Sequence, residues 1–397
     1  MSAQPSHPFR TFPTDAAKPR IVHITADYPD SFAPDKTPVI RDHISSVREA
    51  FDQYVISLNR RSPGAFAAMP GIVDARRAFD GGIAAQYTAP GFGIAHATCL
   101  DRLGSWLAAQ IAAGPRPDLL AAHKLTVEGL AVARAAKALG VPYAVAIQGN
   151  TDGMILAARP DLRRRFAKVF HGAAVVFPFA PWSLALAETL LGPRTGPVHM
   201  LPAPTDLDTP QAPVAGNGRF VSVFHLKNRK VKNLRAIAAT SRLLRAQQAA
   251  PIDVIGGGDA ADIRACEAII AGSDITLLGP RERRSLAREL NAATGFVLPS
   301  KRESFGLVFI EALFAGLPII YPAGAAVDGY FDDCPFAIRV DARDPSAIAD
   351  AMHHVRDEEM SLKASLARWQ SSEAATAFQR PAIARVFASG LRAAVSA

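Results

Sequence analysis

Short runs of apolar and β-branched residues alternate along the chain with longer amphipathic stretches, the pattern of βαβ units built around a parallel sheet. Arg20–Thr25 (RIVHIT) reads as the first strand, with Asp118–Ala122 (DLLAA), Tyr143–Ile147 (YAVAI) and Ala173–Phe177 (AAVVF) as later ones. Val127–Leu139 (VEGLAVARAAKAL) sets its apolar residues at helical spacing, and Gly140-Val141-Pro142 then stops the helix and re-enters strand.

Leu201–Gly218 (LPAPTDLDTPQAPVAGNG) is rich in proline and poor in large apolar residues, and reads as a linker. After it the alternation restarts. Arg219–Phe224, Ile252–Ile255, Ile275–Leu278, Gly295–Leu298 and Pro318–Tyr321 are predicted strands. Asn233–Gln248, Ala260–Ala271, Glu282–Ala292 and Leu307–Ala315 are the helices between them, and Pro345–Val355 and Met360–Leu391 read as helical throughout. The expected organisation is an N-terminal Rossmann-like domain over residues 1–201, a linker over 202–218 and a second Rossmann-like domain over 219–375. A C-terminal helix at about 376–397 is expected to pack back on the first domain. Two α/β halves joined by a hinge imply parallel sheets facing across a cleft, with ligands beyond the carboxyl ends of the strands.

Composition narrows the class. At 397 residues the chain exceeds what one core usually spans, and 49% apolar with 20% charged residues is ordinary globular material. Three cysteines (Cys99, Cys266, Cys334) lie far apart with no metal-ligand spacing, which fits a reducing cytoplasm. The first twenty residues lack the apolar core of a secretory signal. The longest apolar stretch, Ser304–Val327, contains Glu311, Gly316, Pro318, Pro322 and Gly324 and reads as a buried helix followed by a buried strand, not a membrane span. Net charge is +8, and residues 1–205 hold 21 Lys/Arg against 15 Asp/Glu. The local cluster Arg163, Arg164, Arg165 and Lys168 is either a solvated helix face or a patch for anionic lipid or a phosphorylated acceptor. No recognition motif for nucleic acid accompanies the charge.

The chemistry concentrates in Gly295–Pro318 (GFVLPSKRESFGLVFIEALFAGLP), where a buried strand, a polar loop and a helix start succeed one another. The backbone N–H groups of Phe305, Gly306 and Leu307 and the helix dipole suit a phosphate, and Gly306 permits its close approach. Ser304 belongs to the same loop. Glu311, inside an apolar run, needs hydrogen-bond donors: either the vicinal hydroxyls of a ribose or a buried Arg or Lys. Glu303 is either solvated or faces the sugar end of the same ligand.

The string PSKRESFGLVFIEALFAGLPII resembles the retaining glycosyltransferases of the GT-B fold, the large family-four group (glycosyl transferases group 1), at nearly every fixed position over more than twenty residues. That resemblance implies that Glu303 contacts the donor hexose and Glu311 holds the ribose diol. Phe220–Leu234 (FVSVFHLKNRKVKNL) is similar to the family segment whose Arg and Lys grip the diphosphate. Lys232 would supply the lysine. His225 stands where the family has arginine, and the loop is longer, so Arg229 or Lys230 is the candidate for the second cation. Gly257 lies in a turn (Gly256-Gly257-Gly258-Asp259) similar to the family's glycine turn, and Leu278 precedes a loop whose backbone would meet the nucleobase.

In the first half, Asp118–His123 and Val145–Gly149 resemble the family's acceptor-side strands more weakly. Gln148 replaces the family histidine and cannot carry a proton, which points to the leaving phosphate as the base. Asn150, Asp152, His123 and Lys124 are the remaining acceptor-side candidates, and the loop from Asp27 to Thr37 is expected to bind acceptor. The resemblance implies a hexosyltransferase that uses a nucleoside-diphosphate sugar with retention and needs no cofactor or metal. Its acceptor would be a saccharide or lipid-linked hydroxyl in polysaccharide or glycoconjugate synthesis, and its place the cytoplasm, peripheral at the inner membrane face. Two other readings stay open: an inactive partner subunit that binds a nucleotide sugar, and a nucleotide-sugar epimerase of the same shape. A dehydrogenase is disfavoured because no G-x-G-x-x-G follows the first strand.

Overall fold

The computed structural model describes residues 18–62, 73–245 and 250–397. The chain divides into two compact units. One comprises the described residues up to Phe179 with Ser183–Ala203 and Ile383–Ala397, the other Ala180–Trp182 and Pro204–Ala382.

In the first unit the strands are β1 (Arg20–Thr25), β2 (Asp52–Arg61), β3 (Val73–Phe79), β4 (Gly82–Thr88), β5 (Leu119–Ala122), β6 (Tyr143–Ile147) and β7 (Val175–Pro178). They form one sheet in the order β3-β4-β2-β1-β5-β6-β7. Neighbours run parallel except the edge pair β3–β4, which is antiparallel. β1 beyond Arg20 and the whole of β5 are buried residue after residue, as in strands covered on both faces. Helices α1 (Val39–Ser46), α2 (His96–Ala112), α3 (Gly129–Leu139), α4 (Asn150–Ala158), α5 (Arg163–Gly172) and α6 (Pro181–Leu191), the last of which begins with residues of the second unit, follow the strands. Leu103 and Leu107 of α2, Val132 of α3 and Phe166 and Phe170 of α5 close the core with Val22, Leu120 and Val145 from the sheet.

The second unit carries β8 (Phe220–Val223), β9 (Ile252–Ile255), β10 (Ile275–Gly279), β11 (Gly295–Val297), β12 (Ile319–Pro322) and β13 (Ala337–Val340), all parallel, in the order β10-β9-β8-β11-β12-β13. Its helices are α7 (Leu234–Arg245), α8 (Ala260–Ile270), α9 (Arg283–Ala292), α10 (Leu307–Phe314), α11 (Pro345–Asp357), α12 (Glu359–Gln370), α13 (Glu373–Thr376) and α14 (Arg380–Val395), the last running on into residues of the first unit. Behind α10, Phe314, Phe331, Phe336 and Phe378 gather around Trp369, with ring centroids 5.6–6.1 Å from it.

The pattern of apolar residues misses β2, the β3–β4 hairpin and β13. The apolar stretch Ser304–Val327 is α10 followed by β12, and no helix among the described residues is long and apolar enough to cross a membrane. The extended segment after Ala203 runs along the second unit. Gln211 N donates to Phe314 O at 2.7 Å, and the buried Lys363 ammonium donates to Val214 O at 2.7 Å and Ala293 O at 2.8 Å. The predicted helix Met360–Leu391 is divided, with breaks after Gln370 and Thr376.

Candidate active site

The carboxyl ends of β8 and β11 bring two distant parts of the sequence together. The turn after β8 ends in Lys232 and Asn233. Asn233 adopts φ +63°, the left-handed region in which asparagine is among the few tolerated side chains. Its buried amide donates to Pro299 O at 3.0 Å and Ala342 O at 2.7 Å, and Lys301 N donates to Val231 O at 2.8 Å. The two loops are thereby locked side by side, and Lys232 Nζ meets Glu303 Oε2 in an ion pair. Both side chains keep a little solvent contact, 18% and 14%.

Gly306 follows with φ +73° and begins α10. A Cβ there would lie 2.7 Å from the Phe309 ring and 2.9 Å from Glu303 Cγ. No side chain caps α10, and its first turn holds no acidic residue, so the first N–H groups of the helix have no side-chain acceptor from a cap. Phe305 is buried against Tyr330, while Ser304 and Leu307 are half-buried at the mouth of the turn. Glu311, one turn further on, is half-buried, and its Oε1 accepts from Thr205 Oγ1 at 2.7 Å. Thr205 belongs to the proline-rich segment and carries no signal of its own in the sequence.

The other donor-side residues stand apart from this pair. Arg229 is held by Asp262 of α8 at 2.7 Å. The exposed Lys230 lines a cavity on the α8 side of the turn. His225 is exposed, with Nδ1 accepting from Lys227 N at 3.2 Å. Gly257 O accepts from Leu226 N at 2.8 Å, fastening the β8 turn to the glycine turn, and Leu278 O accepts from Arg281 Nη1 at 2.6 Å.

In the first unit the acceptor-side candidates cluster beyond β1, β5 and β6, mostly engaged with one another. Asp152 is buried, and its Oδ1 accepts from Thr126 N at 2.9 Å and Thr126 Oγ1 at 2.8 Å, its Oδ2 from Gln148 N at 3.2 Å. Gln148 Nε2 donates to His123 O at 2.9 Å. His123 is buried, with Nε2 3.1 Å from His23 Nδ1, and burial pushes both imidazoles down, that of His23 to about 4. Lys124 pairs with Asp27 at 2.6 Å. Asn150 is the half-buried first residue of α4. In the loop after β1, Lys36 pairs with Asp30 at 3.0 Å.

Glu128, which sequence patterning passes over, is fully buried beside this cluster. Burial pushes its carboxyl up to about 8 against the pull of Lys124, and Oε2 has no hydrogen-bond partner among the described residues.

Among the described residues no group of His, Cys, Asp or Glu has the geometry to hold a metal ion. Asp206-Leu207-Asp208 has an Asp-x-Asp spacing, but Asp206 is paired with Arg283 and Arg380, and Asp208 accepts from Arg380 N at 2.9 Å.

The two parallel-sheet α/β domains have the GT-B fold of glycosyltransferases. Over 94% of this chain and 98% of the other, they match a sucrose-phosphate synthase from Thermosynechococcus elongatus with a TM-score of 0.69 at 17% identity. Residues 218–358, which include Lys232, Glu303 and Glu311, match the family Glycosyl transferases group 1. The D-inositol 3-phosphate glycosyltransferase of Corynebacterium kroppenstedtii is 34% identical over 85 residues, 21% of this chain and 19% of that one. The enzyme of the same name from Mycolicibacterium smegmatis is 28% identical over 155 residues, 36% and 35% of the two chains. The chain thus aligns with about a fifth to a third of the length of these curated relatives. The matched stretch and the curated relatives point to glycosyltransferases, and the solved structures to their fold.

Proposed function

We propose that the protein transfers a hexosyl unit from a nucleoside-diphosphate sugar to an acceptor hydroxyl with retention of anomeric configuration. The observation that carries this reading is the Lys232–Glu303 ion pair set against the left-handed Gly306, with Glu311 one turn into the same helix. A diphosphate drawn to Lys232 and the uncapped start of α10 competes with Glu303 for the ammonium. Glu303 is then free to accept hydrogen bonds from the hexose hydroxyls, and Glu311 from the ribose diol. The bond from the anomeric carbon to the diphosphate breaks as the acceptor oxygen bonds to that carbon on the same face. The acceptor proton passes to the departing phosphate oxygen, so no protein base is needed at Gln148. Lys232 and the α10 amides stabilise charge where it develops on the leaving group.

The names of the relatives, a D-inositol 3-phosphate glycosyltransferase and a sucrose-phosphate synthase, favour an acceptor built from a phosphorylated polyol or saccharide, free or lipid-linked. The basic first half fits such an acceptor at the inner face of a membrane, in polysaccharide or glycoconjugate synthesis, with the protein itself cytoplasmic. Calorimetric titration and transfer assays with UDP-, GDP- and ADP-sugars test the donor reading. One donor binds and turns over, and the absence of binding at millimolar ligand sinks it.

A second reading, a partner subunit that binds the donor without transferring it, is favoured by the commitment of Arg229 to Asp262, which leaves Lys232 as the cation facing Glu303. Donor binding without transfer to any acceptor or to water supports that alternative.

A further inference from the structure

We propose that the cavity enclosed by the start of α7, one face of α8 and the loop around Lys301 is a second anion site, separate from the donor site, that takes a phosphate-bearing ligand. The cavity measures about 650 Å³ and has Lys230, Arg235 and Lys301 on its walls. Arg229, also in the wall, is neutralised by Asp262 at 2.7 Å. The other three are exposed, and none has a carboxylate partner among the described residues.

Like charges gathered around one concavity raise one another's energy. Arg235 sits in the first turn of α7, where the helix dipole is positive and no acidic residue offsets it. Basic residues in the last turn, Arg242 and Arg245, are placed where the dipole favours them and donate to carbonyls of the α8 end. The first-turn arrangement therefore gives the fold no return of its own. An anion with several oxygens resolves both the mutual repulsion and the unanswered helix start. Ala265, Ala268 and Ile269 of α8 give the cavity a small apolar floor, suited to the carbon part of a phosphate ester.

The site is distinct from the Lys232–Glu303 pair, Gly306 and Glu311, which do not line it, and it assigns Lys230, the sequence's candidate for a second diphosphate cation, to a different ligand. It is also joined to the donor site through the backbone. Lys301 N donates to Val231 O at 2.8 Å, and Asn233, whose amide holds the two loops together, lines the cavity. An occupant that gathers Lys230, Arg235 and Lys301 braces the turn that carries Lys232.

The test is titration calorimetry of the full chain with pyrophosphate and with inorganic phosphate. Wild type is expected to bind pyrophosphate at two sites. Lys232→Ala removes one of them. The triple variant Lys230→Ala, Arg235→Ala, Lys301→Ala weakens the other at least tenfold, with circular dichroism confirming that it is folded. A wild-type isotherm with a single site that Lys232→Ala abolishes overturns the proposal. So does a triple variant that binds at both sites like wild type. Loss of one of two sites in Lys232→Ala bears on the donor reading alone. Two further arms separate the sources of the phosphate: a hexose phosphate in solution, and vesicles of phosphatidylglycerol against phosphatidylcholine. Sensitivity of either to the triple substitution supports the site and names its source, and insensitivity of both overturns it.

Discussion

Lys232 and Glu303, 71 positions apart in the chain, meet as an ion pair at the carboxyl ends of two neighbouring strands. Each neutralises the other at a place where two partly buried like-sided loops converge. On the proposed reading, an incoming diphosphate would compete with Glu303 for the Lys232 ammonium.

Replacing one member should separate binding from turnover. On the proposed reading, in which the Glu303 hydrogen bonds go to the hexose, Glu303→Gln is expected to lower kcat at least ~100-fold while changing nucleoside-diphosphate affinity only slightly. Lys232→Ala should weaken the nucleoside diphosphate itself by ~10- to 100-fold, the usual worth of a charge-assisted hydrogen bond. Steady-state kinetics and calorimetry read both, and equal effects of the two variants on affinity would reject this division of labour.

Glu311 has one oxygen on the Thr205 hydroxyl, which orients the carboxylate. Glu311→Ala should weaken nucleoside-diphosphate binding by ~10-fold or more. A 2′-deoxy analogue should bind the wild type about as poorly as the ribonucleotide binds the variant, and the two losses should not add. Additive losses in that double cycle would remove the ribose from Glu311. Thr205→Val, which frees the carboxylate to turn, should cost a smaller part of the same affinity.

Gly306→Ala meets two obstacles, a φ of +73° and a Cβ within 3 Å of the Phe309 ring and Glu303 Cγ. Destabilisation of ~1–3 kcal/mol is expected from the strained backbone and the contact together. Turnover should fall as well, since the proposed function makes the displaced Glu303 the sugar contact. Denaturant unfolding measures the first effect, and a change under about 0.5 kcal/mol, within the range of an ordinary surface substitution, contradicts it.

Glu128 should make stability fall with rising pH. Its folded carboxyl stays protonated up to about 8, from an ordinary 4.5, because burial disfavours the charge. Between those values the unfolded chain releases a proton that the folded chain keeps, so the group's contribution is lost progressively as pH rises through that window. His23, held neutral down to about 4 from 6.5, acts in the opposite sense, its contribution being lost as pH falls through that lower window. The difference in unfolding free energy between Glu128→Gln and wild type should therefore shift in favour of glutamine between pH 5 and pH 8, by up to a few kcal/mol on an order-of-magnitude basis. A difference that stays constant across that range refutes a buried, protonated Glu128.

What could be read from the chain alone follows from how local each signal is. The second-unit strands are short apolar runs bounded by Gly and Pro, and Gly306 and Asn233 mark left-handed positions that chemistry restricts to few residues. β2 and the β3–β4 hairpin escaped because Asp52–Arg61 (DQYVISLNRR) carries polar residues at both ends and β3 is largely exposed. Asp80-Gly81, with Gly81 at φ +76°, is nonetheless a recognised hairpin turn signal. The pairing of Lys232 with Glu303, of Thr205 with Glu311, and of Arg229 with Asp262 joins residues separated by 33 to 106 positions. No periodicity reports such meetings. Glu128 escaped for the opposite reason: it sits inside a well-formed helical pattern that gives no hint of a trapped proton.

The amide of Asn233, in the turn after β8, bonds simultaneously to the strand-end loops of β11 and β13, while its own carbonyl accepts from Ala236 N and Ile237 N at the start of α7. Those three loops are therefore a single exchangeable cassette. Replacing the β8 turn alone would leave Pro299 O and Ala342 O without the donor that joins them, whereas transplanting all three together would carry the knot along intact.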